Sequence, residues 1–464
     1  MNLLVGFVIL LCLVGSEIQT AEVTPELWQR IFLVGLISIS VPGLAFFQTL
    51  IVSKRFRDSD LPELQRQTIT QRLSVCHSAV WLSASLATIL ALRWQDVVRG
   101  NWKLDRFPLL DELLILSPIL FSLVASWAIF YEIQRSINGP SESALGWKSI
   151  KNRIAYVSIR FRVYILLVLL PIALAVLFRD LSPWLSTQPQ GVQALLLATA
   201  ATATTIGFPF LLLLIWKHRP VSPELKTKLL ETCNHHQLGI LDIRIWNTGG
   251  QIVNALVAGF VPRLRFILLS DRLVDRFPEN ELLAVVRHEA GHLRLWHLPI
   301  RMVFIVLPLI ALSLDERNSF GLLNGLGVIL ENAGAPKDSA IGIMSVGFIV
   351  YLVLTMSWLS KNMEYEADIY SCQDLPHSST PTIRSEFAGD MSDALIRLVG
   401  ENPEQYQKKT LLHPSIEQRL LVLRDLQMEP EKATRFCRSF ARRRQIAIGL
   451  LFCLCVLTLI ARLV

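Results

Sequence analysis

The chain has 464 residues, of which 52% are hydrophobic and only 18% charged, with a mean hydropathy of +0.44. It is too apolar for an ordinary soluble protein and far too apolar for a disordered or fibrous one. The net charge of +7, from 45 Lys and Arg against 38 Asp and Glu, is not gathered on one basic face, so no nucleic-acid partner is expected. The basic residues stand beside apolar runs instead, where positive charge retains loops on the cytoplasmic side of a bilayer.

Residues 1–15 are apolar over signal-peptide length, yet no Lys or Arg precedes them, so they are expected to stay as an uncleaved anchor or span. A helix needs about 20 apolar residues to cross the hydrocarbon core. Segments 31–53, 73–92, 113–131, 163–178, 192–216 and 340–360 meet that need. Segment 446–461 is slightly short but follows Arg442, Arg443 and Arg444, which read as a topology and lipid-headgroup anchor. Segment 299–314 is also short and carries Pro299 and Pro308, so it could be re-entrant.

Loop charge orients these spans. Loop 54–72 (Lys54, Arg55, Arg57, Arg66, Arg72) and loop 132–162 (Arg135, Lys148, Lys151, Arg153, Arg160, Arg162) are richer in basic residues than 93–108, 179–191 or 315–339. Alternation then places 217–298 and 361–444 on one cytoplasmic face. The expected organisation is a membrane region over 1–216, a second domain over 217–444 interrupted by spans near 299–314 and 340–360, and a last span over 445–464. The fold class is mainly α: a multi-pass membrane helical bundle with a domain at the cytosolic face that includes a small β element.

The seven cysteines, Cys12, Cys76, Cys233, Cys372, Cys437, Cys453 and Cys455, have neither metal-ligand spacing nor disulfide-scaffold density. Those in or beside spans read as small buried hydrophobes, and no redox chemistry is expected.

Chemistry concentrates in three polar elements. Residues 281–293 have helical periodicity around an H-E-x-x-H core, His288, Glu289 and His292. Positions i and i+4 share a helix face, so the two imidazoles can bind one Zn²⁺ with Glu289 beside them to polarise water. Gly291 would weaken an exposed helix by about 1 kcal/mol, a cost that makes sense if substrate or another backbone comes close. Zinc of this kind needs a third protein ligand. After the span at 340–360, Glu364 and Asp368 are again i and i+4, so one carboxylate can ligate while the other accepts the outer N–H of a histidine, with Glu366 pointing elsewhere. In the third element His413 can donate to an oxyanion, and Arg419 can hold the local structure through carboxylates.

Upstream, Asn254, Ala255 and Gly259 lead into an apolar strand over 265–270. A strand just ahead of the metal helix can pair with an extended peptide, or it can be a core hairpin. Of the other histidines, His77 reads as hydrogen-bonded within the bundle, His218 and His377 as solvent-facing, and His235 and His236 as polar without a partner at ligand spacing. His297 does not read as a ligand, because a fourth protein ligand would close the site.

With these motifs in order, the segment from Asn254 to Leu420 resembles the membrane-embedded gluzincin metallopeptidases that include the CAAX prenyl proteases and the bacterial protease HtpX. The resemblance implies one Zn²⁺ per chain held by His288, His292 and Glu364, Glu289 as general base, Asp368 supporting a ligand, and His413 assisting at the oxyanion. It implies an integral-membrane zinc metalloendopeptidase acting on a peptide or membrane-protein substrate. Nothing before about residue 217 is covered, and the oligomeric state and substrate are not implied. The main rival is a membrane sensor whose zinc-protease domain cleaves one dedicated partner. A site-2-type protease is disfavoured because Asp275, Arg276, Glu279, Asn280, Glu281 and Arg287 precede the motif where an apolar span would be needed. A non-enzymatic scaffold is disfavoured by the complete ligand and base set.

Overall fold

A computed structural model describes residues 26–59, 61–104, 107, 109–137, 147–250, 252–259, 261–315, 339–374, 382–400, 406–407 and 409–463, with Val8, Ile329 and Asn332 besides. The expectations for segment 1–15, Cys12, His377 and most of loop 315–339 lie outside the described residues. The chain forms two compact units, Met1–Lys217 and His218–Val464.

Among the described residues of the first unit the long helices are α1 (Leu27–Asp58), α2 (Glu63–Leu86, continued by a π-helical turn Ala87–Ala91), α3 (Leu110–Ile137), α4 (Trp147–Arg160), α5 (Leu167–Ser186) and α6 (Gln190–Ile215). Leu27–Asp58, Thr68–Ala91 and Leu110–Ile137 are long and apolar enough to cross a membrane. On α1, Trp28, Phe32, Leu36 and Ile39 recur at helical spacing and are 77%, 68%, 52% and 66% exposed. Water would not tolerate such a stripe, whereas lipid accommodates it. The chain is accordingly a membrane protein. Between the helices, the Trp81 indole donates to the Ile119 carbonyl at 3.1 Å, and His77 Nδ1 lies 3.0 Å from Gln48 Oε1, a bond within the bundle.

The second unit starts with β1 (His218–Pro220), α7 (Pro223–His235), β2 (Ile240–Trp246), β3 (Ala255–Ala258) and β4 (Arg265–Ser270). The sheet order is β1-β2-β4-β3, with β2 and β4 parallel and the other pairs antiparallel. The apolar strand 265–270 is therefore interior, in a hairpin with β3, and cannot receive a peptide; the edges are β1 and β3, and β3 is the one beside it. Gly259 makes the turn between them at φ +117°, where an added Cβ would lie 3.0 Å from the Leu264 carbonyl.

Helices α8 (Asp271–Arg276), α9 (Glu279–Arg294), α10 (His297–Asp315), α11 (Ser339–Ser371), α12 (Ser385–Val399), α13 (Ile416–Met428) and α14 (Pro430–Leu463) follow among the described residues, with the short paired strands Gln373–Asp374 and Thr382–Ile383 between α11 and α12. Leu282, Val286 and Ala290 of α9 pack toward Ile243, Ile267 and Leu269 of the sheet. Its Ala284 joins a second core with Ile369, Met391 and Leu423. Buried on two sides, α9 is a fixed axle for the polar residues it carries. The cysteines divide: Cys233 and Cys372 are buried, but Cys76 and Cys453 are exposed on the outer faces of their helices, contrary to the expectation of burial. A thiol on a face that meets lipid needs no protein neighbour.

Candidate metal centre

Two acidic residues, Glu279 and Glu281, stand in the first turn of α9, and His292 and Arg294 in the last, a distribution that suits the helix dipole. Beneath this helix Gly291 is the point of closest approach: a Cβ there would meet Ala367 Cα at 3.0 Å and Tyr370 Cβ at 3.1 Å. The missing side chain lets α11 approach, so another backbone, rather than a substrate, occupies the space expected from the sequence.

That approach brings the side chains together. His288 Nε2 and His292 Nε2 are 3.2 Å apart, and Glu364 offers Oε2 at 3.7 Å from the first and Oε1 at 3.6 Å from the second. Ligands about 2.05 Å from a tetrahedral zinc stand about 3.3 Å from one another. The donor set and spacing therefore fit zinc. The outer nitrogens are engaged elsewhere, which turns both Nε2 lone pairs toward the same point.

His288 Nδ1 lies 2.9 Å from Asp368 Oδ1. Arg419 clamps the same carboxylate, Nε to Oδ2 at 2.8 Å and Nη2 to Oδ1 at 2.5 Å, and places Nη1 3.5 Å from Glu364. A capping box starts α13: Ser415 Oγ accepts from the Gln418 amide while Gln418 accepts from the Ser415 amide. This fixes the helix start four residues before Arg419 and turns the guanidinium inward. Burial tends to raise the Asp368 carboxyl, but Arg419 outweighs it and holds it below its usual range. Burial likewise works to raise Glu364, and the His413 hydrogen bond with the charges of His288, Arg419 and His292 holds it far below. His413 itself is largely exposed, with Nδ1 3.3 Å from Glu364 Oε1.

Three residues were not legible as part of this group. The chain turns sharply after α9 through Trp296, in the left-handed region at φ +59°. His297 then folds back, buried, with Nδ1 2.8 Å from His292 Nδ1 and Nε2 3.2 Å from Glu366 Oε2. Arg444 Nη1 reaches the same oxygen at 3.1 Å. Burial pushes the Glu366 carboxyl up to about 7 against the pull of Arg444. Glu366 does point away from Glu364, as expected, but into this cluster. Arg444 is an internal ion-pair partner rather than only a headgroup anchor. His236 also has a partner, the Tyr370 hydroxyl at 3.1 Å, and His235 Nε2 lies 3.4 Å from Asp374. One signal was available: an acidic residue opposite Glu364 on a buried helix must be compensated by a cation.

The group opens on a cavity of about 560 Å³. Glu289 lies in its wall, its carboxyl raised by burial to about 7. Edge strand β3 forms one side: Asn254 and Ala255 line the cavity, held because the Asn254 amide donates to Ser270 Oγ at 3.0 Å and its carbonyl accepts from the Ser270 amide at 2.9 Å. Leu273, Phe277, Val285, Met391, Leu395 and Leu398 make much of the rest apolar.

Residues 235–427 match the family described as Peptidase family M48. A protease HtpX homolog of Helicobacter acinonychis (strain Sheeba) is 29% identical over 158 residues, 34% of this chain and 49% of the relative. The chain thus spans about half the length of that curated relative. The crystal structure of S. mikatae Ste24p is 17% identical and superposes with a TM-score of 0.48, covering 84% of this chain and 98% of the other. The matched segment is the one that carries both histidines, Glu364 and Arg419.

Proposed function

We propose that this protein is an integral-membrane zinc metalloendopeptidase with one Zn²⁺ per chain, held by His288, His292 and Glu364. The observation that carries the reading is the convergence of two Nε2 atoms and one carboxylate within 4.8 Å of one another beside a carboxyl group in an apolar cleft. Zinc bound there would supply Lewis acidity, polarising a peptide carbonyl and making water a better nucleophile at neutral pH.

The residues of the chain supply the remainder. An extended substrate adds to β3 as a further strand, its backbone groups meeting those of the edge near Asn254 and Ala255. The apolar wall receives a large hydrophobic side chain next to the scissile bond. Glu289 takes a proton from water as its oxygen attacks the carbonyl carbon. It then delivers that proton to the amide nitrogen as the C–N bond breaks, leaving a carboxylic acid and an amine. His413, at the mouth, donates toward the carbonyl oxygen as that oxygen gains charge. Asp368 and Arg419 orient His288. The basic bias of loops 54–72 and 132–162 supports a cytoplasmic catalytic face, with a membrane region over 1–216, the catalytic domain over 217–444 and a closing span over 445–464.

The test compares purified full-length protein with Glu289→Gln. The wild type should carry one zinc per chain and cleave an unfolded protein, whereas the variant should keep the zinc and lose at least about a thousandfold in kcat, on the scale of general acid–base contributions. Equal cleavage by both would reject the assignment. Wild-type protein that binds no zinc would reject the metal site.

A further inference from the structure

We infer that His297, Glu366 and Arg444 form a relay that fixes the tautomer and orientation of His292, making the C-terminal helix α14 a working part of the metal centre. The inference rests on the proposed zinc site and extends it to three residues outside the H-E-x-x-H motif.

Hydrogen-bond bookkeeping leaves one arrangement. If His292 presents an Nε2 lone pair beside His288 Nε2, its proton is on Nδ1. Only 2.8 Å away is His297 Nδ1, which must then be the acceptor. The His297 proton is consequently on Nε2, where Glu366 Oε2 accepts it at 3.2 Å. That oxygen also accepts from Arg444 at 3.1 Å. Every donor in the relay faces an acceptor, with Glu366 Oε2 accepting from both His297 and Arg444, and reversing one imidazole would put two N–H groups or two lone pairs in contact.

The surroundings hold this order. His297 is 1% exposed and Glu366 4%, so water cannot exchange freely for either partner, and an unmade bond at such depth is costly. Trp296, immediately before His297, holds the left-handed region, which is strained for a residue with a Cβ. Its effect is to start α10 with His297 against His292. Strain of this kind persists where the surrounding structure enforces it. A buried polar cluster with no role would have no need to end on the outer nitrogen of a ligand histidine.

The test uses the full-length protein in detergent, with metal removed and then titrated with Zn²⁺ against a chelator, or with Co²⁺ read by its visible d–d absorption. Removing a partner behind a ligand histidine typically costs 10–100-fold in metal affinity. His297→Phe should lose that much and shift the cobalt spectrum, and His297→Gln, which can still accept and donate, should recover most of both. Arg444→Met, 78 residues from Glu366 in sequence, should weaken metal several-fold and alter the spectrum in the same sense, with Arg444→Lys closer to wild type. Wild-type affinity and an unchanged cobalt spectrum in His297→Phe, or in Arg444→Met if the former does not fold, would overturn the relay while leaving the zinc site standing. A wild type that binds no zinc or cobalt would overturn both.

Discussion

The two arms behind the histidine pair reach the same end by different lengths. Asp368 meets His288 directly at 2.9 Å and is neutralised by Arg419 from α13. Glu366 reaches His292 only through His297 and is neutralised by Arg444 from α14. Helix geometry explains the difference. Asp368 follows Glu364 by four residues and shares its face, whereas Glu366 follows by two and is turned about 200° away. A single helix cannot aim three carboxylates at one point, so the second arm needs an intermediary. The arms also differ in burial: the Arg419 side chain is 8% exposed and that of Arg444 13%. Direct support is short and deep, and bridged support ties in a more distant helix.

Substitutions should separate the arms. Arg419→Ala leaves two buried carboxylates without their guanidinium and should destabilise the second unit by about 3–5 kcal/mol, read as a loss of thermal stability and of bound zinc together. Similar stability to wild type would mean that the short arm is not the stronger one.

His236 is a control, a buried histidine directly after α7 whose partner, on α11, is a phenol rather than a carboxylate. Burial pulls it from 6.5 to about 4. The unfolded chain therefore binds more protons between those values. Stability is full above pH 6.5 and falls as pH drops toward 4, by up to about 3 kcal/mol. His236→Gln should flatten that part of the stability profile measured from pH 7 to 4. An unchanged slope would show that His236 is not what titrates there.

Arg444→Ala should cost less, about 1–2 kcal/mol, because its ion pair is nearer the surface. A loss equal to that of Arg419→Ala would erase the distinction between the arms. Gly291→Ala should act on both alike. Overpacking against Ala367 costs about 1–3 kcal/mol, offset by about 1 kcal/mol of helix propensity, so a net loss of about 1 kcal/mol is expected in denaturant unfolding. A gain in stability would show that α9 and α11 have room to separate.

Much of this centre was legible because local rules governed it. The i, i+4 spacing of His288 with His292, and of Glu364 with Asp368, is a property of one helix at a time. The role of Gly291 was half legible: its smallness called for a close neighbour, but only packing named Ala367. The strand reading stays open between a peptide-pairing edge and a core hairpin for a related reason. Residues 265–270 look like a strand from any viewpoint, yet whether a strand is interior or at an edge depends on its neighbours, and here β2 and β3 flank it while β3 is left open. His297 does not read as a ligand, because a fourth would close the site. It is a hydrogen-bond partner of His292, and periodicity cannot express that because the helix breaks at Trp296.

From the sequence alone came the membrane character, the H-E-x-x-H helix, the acidic pair after the span and the basic residue in the third element, because hydropathy and helical period act over a few residues. Tertiary structure decided which strand is an edge, which side of α11 meets which histidine, and that Arg444 points inward. Those outcomes depend on contacts between segments tens of residues apart. A side chain's partner there is set by how the helices pack, and no local pattern encodes it.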